Sequence, residues 1–198
     1  NAKLKMGESV VIFGAGGIGL NIIQAAKLVS AWPIIGVDIY ENRLDLAKKL
    51  GATHIINSSN EDAFERIKDI LKSKQLDVFI DNTGIPKIIQ EGYEIVNQEG
   101  RVVLVGVPKH GSNINIFSLP LHFGKSISGS FGGECKPDKD IPRYMELVKQ
   151  GVWNLNGLIS QRYKLNQINK INNAFFIETL GGYKYQSLLS LAIDRPVI

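Results

Sequence analysis

The chain has little of the chemistry that builds disulfide-linked or metal-centred proteins. Its 198 residues include one cysteine and three scattered histidines, which excludes an internal disulfide and disfavours a zinc site on this chain. The formal net charge is only +4, and the lysines form no basic block, so we expect no nucleic-acid partner. No apolar run approaches the roughly 20 residues that a membrane helix needs, so we expect no membrane partner either.

The amino-terminal residues resemble no targeting segment. Asn1 to Gly7 are polar and contain no basic-then-apolar pattern, so we predict no signal peptide and a cytoplasmic location. The chain opens at Asn1 and not at Met, which is compatible with a piece of a longer protein. Hydrophobic residues make up 44% and charged residues 21%, as in ordinary globular proteins, and we expect a single domain over residues 1–198.

What the sequence does contain is a glycine-rich turn between a buried strand and a helix. The run Val10–Phe13 predicts a parallel strand, and the pattern G-x-G-x-x-G follows it directly. Gly14 would make the tight turn, Gly16 would let the backbone approach a pyrophosphate, and Gly19 would let helix and strand pack closely. The pyrophosphate would lie on the first helical turn, where unpaired N–H groups favour negative charge.

An acidic residue completes this fingerprint. Pro33–Val37 predicts a second buried strand, and Asp38 ends it, 19 positions after Gly19. An acid at about this distance binds the ribose hydroxyls of a dinucleotide. Such an acceptor suits a free 2′-hydroxyl and repels a 2′-phosphate, which favours NAD over NADP. The alternative is that Asp38 only caps a helix or sits in a solvated turn.

Strands and helices then alternate at short spacing, which predicts an α/β fold of the Rossmann type. We expect a doubly wound, six-stranded, mainly parallel sheet in the order 3-2-1-4-5-6 with helices on both faces. The predicted later strands are His54–Asn57, Asp77–Asp81, Arg101–Val105 and Lys125–Ser130. The predicted helices after the first are Glu41–Leu50, the segment from Phe64 to Leu71, about Lys87 to Val96, and Ile141–Gln150.

The last third of the chain is less regular. Ser112–Leu121 reads as an extended segment interrupted by proline, and Leu158–Leu165 also reads as extended. A helix is predicted after Asn166 and a strand over Ser187–Ile193.

Taken together, the motifs resemble the cofactor-binding domain of the zinc-type medium-chain dehydrogenases, the alcohol dehydrogenase family. The resemblance runs from Gly7 to about Asp194. The motifs that carry it are Gly14–Gly19, Val37–Ile39 with Arg43, Leu50–His54, Asp81–Gly84, Gly100–Gly106 and Phe131–Gly133. It implies an oxidoreductase that transfers hydride between an alcohol and a nicotinamide cofactor, with the alcohol held on a catalytic zinc.

The resemblance also implies roles for particular positions. The turn Gly14–Gly19 would hold the pyrophosphate, and Asp38 the adenine ribose, with Ile39 and Arg43 beside the adenosine. The later loops would line the wall towards the nicotinamide. The full set of implied cofactor-binding residues is Gly14, Gly16, Gly17, Ile18, Gly19, Asp38, Ile39, Arg43, Thr83, Gly84, Val105, Gly106, Val107 and Phe131.

The sequence departs from the family in two places. A basic residue usually reaches the phosphates just before the final strand, where this chain has Gln186, with Lys184 two positions earlier. The family's catalytic domain with its zinc ligands precedes the region where this chain begins, so we expect zinc only there. We assign no catalytic or metal-binding role to Cys135 or to the histidines, and expect the chain alone to be inactive.

Two other functions stay open. A zinc-free quinone or enoyl reductase of the same superfamily would usually take NADPH, which Asp38 disfavours. A non-catalytic NAD-sensing module would bind the cofactor to regulate a partner.

The resemblance, together with the strand order, also predicts a homodimer through residues 112–130. The strand Lys125–Ser130 would form an edge of the sheet, and Lys125 is its sole charge. The segment before it is rich in apolar residues, and the alternative is that this segment folds back over the chain's own core.

Overall fold

A computed structural model describes residues 1–159 and residue 164. The chain divides into two compact units, Asn1–Trp153 and Asn154–Ile198. The first unit carries the sheet and its helices. Of the second, the described residues include a short 3₁₀ turn over Asn156–Leu158.

The sheet of the first unit has six parallel strands in the order β3-β2-β1-β4-β5-β6. This is the predicted order, and the predicted Rossmann-type fold is confirmed. The strands are β1 Val10–Phe13, β2 Ile34–Asp38, β3 His54–Asn57, β4 Leu76–Asp81, β5 Val96–Leu104 and β6 Ser126–Gly129. The helices are α1 Gly17–Leu28, α2 Glu41–Leu50, α3 Ala63–Leu71, α4 Pro86–Ile95 and α5 Pro137–Lys149.

Both faces of the sheet are covered because successive side chains of a strand point to opposite faces. On one face, Gly36 of β2 lies against Ile23 of α1 and Ala47 of α2. On the other face, Phe79 of β4 stacks on Phe64 of α3 with ring centroids 6.1 Å apart, in a buried cluster that also includes α4. The loops that lead into these helices therefore gather at the carboxyl edge of the sheet, where α/β proteins bind ligands.

Most predicted elements agree with the structure to within a residue or two at each end, and three differ by more. Strand β5 begins at Val96 and not at Arg101. Helix α5 begins at Pro137 and not at Ile141, because proline at the first helical position lacks only an N–H that would be unpaired there anyway. The segment predicted as extended contains a 3₁₀ turn over Leu119–Phe123, which Gly124 ends with a φ of 109°.

Several predictions lie outside the described residues. They are the extended segment beyond Ile159, the helix after Asn166, the strand Ser187–Ile193, and the phosphate-site positions Lys184 and Gln186. Over the described residues, none of the helices is long and apolar enough to cross a membrane.

Candidate functional site: the carboxyl edge of the sheet

The candidate site is built where β1 lies between β2 and β4. Phe13 at the end of β1 pairs with Val37 of β2 on one side and with Asp81 of β4 on the other. The chain turns from β1 outward to β2 and β3, and later returns to β4 on the other side. The winding of the sheet thus reverses at the glycine turn, and such a reversal leaves a crevice outside the strand ends.

The glycine turn needs glycine at two of its positions. Gly14 has a φ of +96°, which side chains rarely allow, and its N–H donates to the carbonyl oxygen of Val37 at 2.8 Å. A Cβ on Gly19 would overlap the carbonyl oxygen of Gly14, so the helix reaches this close approach only without a side chain. By contrast, a Cβ on Gly16 or Gly17 would meet no atom within 4 Å. The surface of the turn is therefore open at Gly16 and Gly17.

The first turn of α1 fits an anionic group. The N-cap residue is Gly16, no side chain caps the helix, and the first turn contains no acidic residue. The helix has 12 residues, so its amino end carries a substantial partial positive charge and unpaired N–H groups. Gly17 is exposed, and the side chain of Ile18 is 55% exposed. A pyrophosphate would find N–H donors here and no competing carboxylate on the first turn.

Asp38 is buried and joins β2 to the glycine turn. Its Oδ2 accepts from the N–H of Ala15 at 2.7 Å, and its Oδ1 accepts from the N–H groups of Ile39 and Tyr40 at 2.8 and 3.0 Å. Arg43 approaches the same carboxylate at 3.8 Å and stacks over the ring of Tyr40. Asp38 therefore is neither the N-cap of α2, which is Tyr40, nor a solvated turn residue. It lies beside the glycine turn as the fingerprint requires.

Asp81 is a site residue that the sequence reasoning missed. Its side chain is fully buried. Oδ1 accepts from the N–H of Thr83 at 3.0 Å and from its hydroxyl at 2.6 Å, and Oδ2 accepts from the N–H of Gly84 at 2.8 Å. The carbonyl oxygen of Asp81 accepts from Val105 and Gly106 at 2.8 and 2.9 Å. An aspartate two residues before threonine at a strand end was the available signal, because such residues commonly bond the backbone just ahead of them.

The ends of β4 and β5 meet through glycines. Gly84 has a φ of +68°, and a Cβ there would lie 2.6 Å from the carbonyl oxygen of Val107. A Cβ on Gly106 would overlap the backbone nitrogen of Gly84. Two backbone segments therefore touch directly, which fixes the wall on the β4 side of the crevice.

Most of the predicted site residues are linked by successive contacts along the carboxyl edge of the sheet. The contacts run from Arg43 and Asp38 through the glycine turn to Thr83, whose Cγ2 would be 3.4 Å from a Cβ on Gly14, and on to Gly84 and Val107. Ile39 and Val107 are exposed, Val107 by 81%. Phe131 follows β6 at the same edge, but its side chain is 94% exposed and forms none of these contacts.

Residues 1–159 and 164 hold no group of three or more His, Cys, Asp or Glu side chains that could bind a metal ion. Cys135 is exposed. The side chains present in this region do not fit a zinc ion.

Lys125 corrects an expectation about the sheet edge. Predicted as the sole charge of an edge strand over Lys125–Ser130, it instead precedes β6 and is buried. Its Nζ donates to the carbonyl oxygen of Tyr93 at 2.9 Å and lies 4.8 Å from the centroid of the Tyr93 ring. Burial lowers the pKa of Lys125, an effect that Glu94 partly offsets. The reason is that Tyr93 is near the carboxyl end of α4, where unpaired carbonyl oxygens attract a cation.

The fold is an α/β fold of the Rossmann type, and comparison with known proteins gives the family of the chain. The family model for zinc-binding dehydrogenases matches residues 17–150. Sorbitol dehydrogenase from Bacillus subtilis is 33% identical over 165 residues, which is 83% of this chain and 46% of the relative. S-(hydroxymethyl)glutathione dehydrogenase from Paracoccus denitrificans is 30% identical over 176 residues, 85% of this chain and 47% of the relative.

Solved structures agree with these relatives. Benzyl alcohol dehydrogenase from Acinetobacter calcoaceticus superposes with a TM-score of 0.81 and 35% identity over 89% of this chain and 48% of the other. A zinc-binding dehydrogenase from Sinorhizobium meliloti, whose crystal structure contains NADP, gives a TM-score of 0.76 and 27% identity over 86% of this chain and 49% of the other. The chain belongs to the zinc-binding dehydrogenase family, and it spans about half the length of the relatives it matches.

Proposed function

We propose that the chain is the cofactor-binding part of an alcohol dehydrogenase-like oxidoreductase and binds NAD in preference to NADP. The cofactor would accept or donate hydride, while this chain holds its phosphates at the first turn of α1 and its adenine ribose at Asp38. The observation that carries the proposal is the bond from Ala15 to Asp38, at 2.7 Å, which places a buried carboxylate beside an open glycine turn. A cytoplasmic location stays a prediction.

The preference for NAD depends on the charge of Asp38. A 2′-phosphate on the ribose would face this carboxylate at short range, and a close like-charge conflict costs several kcal/mol. Arg43 lies 3.8 Å from the same carboxylate and would attract a 2′-phosphate. The carboxylate is buried and fixed by three N–H donors, whereas Arg43 is partly exposed, so we expect the repulsion to prevail.

Calorimetry of NAD and NADP binding to the 198-residue chain tests this preference. We expect the wild type to bind NAD at least tenfold more tightly than NADP, and Asp38→Ala to reduce the ratio. Asp45→Ala is the matched control, because it removes the same charge from an exposed position on α2, the helix that follows Asp38. Equal affinities of the wild type for the two cofactors would contradict the proposal.

We also propose that the catalytic groups lie outside these 198 residues. Among the described residues, no group of side chains could hold a metal ion at this site, and hydride transfer from an alcohol needs an electrophile that polarises the oxygen. The chain alone should therefore bind cofactor without oxidising alcohols. Zinc-dependent oxidation of an alcohol by the purified chain would refute this part.

The proposal includes a two-fold homodimer through residues 112–130. Among the described residues, strand β6 is the last strand of the sheet, and the burial of Lys125 leaves the outer side of Ser126–Gly129 without a charge. Beside it, Phe117 and Phe123 are 70% and 59% exposed. Ile116 packs against the core, so the segment folds back only in part. An unprotected edge with adjacent apolar surface favours pairing with a second copy.

Proline substitution tests the edge directly. The N–H of Ser130 donates to the carbonyl oxygen of Leu104 of β5, and alternation along the strand directs the N–H of Ile127 away from β5. Light scattering should show that Ile127→Pro is monomeric. Ile127→Ala loses similar packing but keeps the N–H, and it should remain a dimer. A monomeric wild type, or a dimeric proline variant, would exclude this interface.

A further inference from the structure

We propose that Asp81 positions the half of the site that receives the nicotinamide, and that its buried negative charge favours the oxidised, cationic form of the cofactor. The inference rests on the proposed function, because it assumes that the crevice binds a nicotinamide dinucleotide. A doubly wound sheet binds one mononucleotide half on each side of the central crevice. Asp38 lies on the β2 side, and Asp81 ends β4 on the other side.

The hydrogen bonds of Asp81 converge on the predicted wall. Its carboxylate accepts three bonds from Thr83 and Gly84, and its carbonyl oxygen accepts two from Val105 and Gly106. These four residues are all predicted to line the cofactor. One fully buried residue thus fixes the loop after β4 and the loop after β5 relative to each other.

The carboxylate of Asp81 is bonded by N–H and O–H donors and not by a cationic side chain of the described residues. A buried carboxylate is tolerated when its oxygens are fully hydrogen-bonded, and here three donors supply those bonds. Across residues 1–159 and 164, Asp81 forms no ion pair with a lysine, arginine or histidine, whereas Asp38 lies 3.8 Å from Arg43. The negative potential at the β4 side is therefore less compensated than that at the β2 side.

Such a potential distinguishes the two forms of the cofactor. The oxidised nicotinamide ring carries a positive charge that the reduced ring lacks, and charges interact strongly in a partly buried crevice. The carboxylate should therefore strengthen binding of the oxidised form and leave the reduced form nearly unaffected. A purely structural role would change both affinities by the same factor.

The test compares Asp81→Asn with Asp77→Asn in the full chain. Asp77 is in the same strand but near the opposite edge of the sheet, and its carboxylate also accepts bonds from backbone and side chains, those of Ser9 and Asn97. Affinities for NAD+ and NADH are measured by calorimetry and by NADH fluorescence, and folding by urea titration. We expect Asp81→Asn to weaken NAD+ binding at least threefold more than NADH binding. Asp77→Asn should leave the ratio of the two affinities unchanged.

A second variant keeps the proposal testable if Asp81→Asn does not fold. Thr83→Val removes the hydroxyl that donates to Asp81 at 2.6 Å but keeps the carboxylate. It should weaken both forms of the cofactor at least fivefold and leave their ratio unchanged. Unchanged affinity in Thr83→Val, or an equal change for the two forms in Asp81→Asn, overturns the proposal. A wild type that binds neither form refutes the proposed function itself, which is a separate outcome.

Discussion

Two aspartates at the carboxyl ends of strands flanking β1 show how differently the two halves of the site are held together. Asp38 reaches across to the glycine turn through its side chain, to a residue 23 positions earlier in the chain. The side chain of Asp81 bonds only residues two and three positions ahead. On its side, the distant contact is made by backbone, where Gly84 meets Gly106 and Val107. The distant contact on the β2 side is made by a carboxylate, whereas the one on the β4 side needs glycines, whose lack of a side chain lets two backbone segments touch.

The largest expected effect on stability comes from adding a side chain at Gly19, where helix α1 contacts the glycine turn. Gly19→Ala should lower the free energy of unfolding by about 3 kcal/mol or more, because the new Cβ overlaps the Gly14 carbonyl and the backbone must move. Urea denaturation measures the change. Gly17→Ala on the same helix is the control and should stay within about 0.5 kcal/mol of the wild type, since a Cβ there meets nothing. Equal losses in the two variants would contradict the close approach.

The equivalent substitution on the β4 side should cost somewhat less. Gly106→Ala places a Cβ against the backbone of Gly84, but it overlaps less deeply than a Cβ on Gly19 would overlap the Gly14 carbonyl oxygen, so we expect a loss of about 2 kcal/mol. Gly17→Ala, whose Cβ meets no atom within 4 Å, is again the control and should be close to neutral. The measurement is again urea denaturation. If Gly106→Ala is as stable as Gly17→Ala, the two loops do not touch as described.

A smaller effect is expected when the charge of Asp38 is removed but its shape is kept. In Asp38→Asn, the amide NH₂ group replaces one carboxylate oxygen and faces an N–H group that had donated to that oxygen. At least one hydrogen bond is therefore lost, and the free energy of unfolding should fall by about 1–2 kcal/mol. Thermal or urea unfolding without cofactor measures this loss. Asn for Asp45 on the exposed face of α2 should cost almost nothing. A loss in both variants of the same size would indicate a general charge effect.

The smallest effect concerns the pH dependence contributed by Lys125. Burial lowers the pKa of Lys125 in the folded state below the ordinary value of 10.5. At pH values between the folded-state pKa and 10.5, the unfolded chain therefore binds more protons than the folded chain. Stability of the wild type relative to Lys125→Met should therefore rise as pH increases towards 10.5 and then level off. Burial also raises the pKa of Tyr93, so the comparison is made between variants that both keep this tyrosine. A relative stability that falls over this range would reverse the assigned direction.

The sequence predicted the parts of the site that follow from spacing. The glycine pattern and Asp38 were found because their separation along the chain is set by one strand–helix–strand unit. Asp81 was missed because its carboxylate bonds residues two and three positions ahead, a pattern that is common to many turns. Its link to the loop after β5, through its carbonyl oxygen, is visible only in the tertiary structure. Lys125 was wrongly predicted to be part of the edge strand, because the alternation of residues in a short strand does not reveal that the end of helix α4 lies within reach of its side chain.

The sequence by itself determined the order of strands and helices, the strand order in the sheet and the glycine turn, because hydrophobic periodicity and glycine requirements are local properties of the chain. Only the tertiary structure decided what each polar group bonds to. Asp38 is bound by the N–H of Ala15, Asp81 links the loops after β4 and β5, and Lys125 turns from the sheet edge to Tyr93. Buried polar groups must find partners, and those partners come from segments that are distant in the sequence.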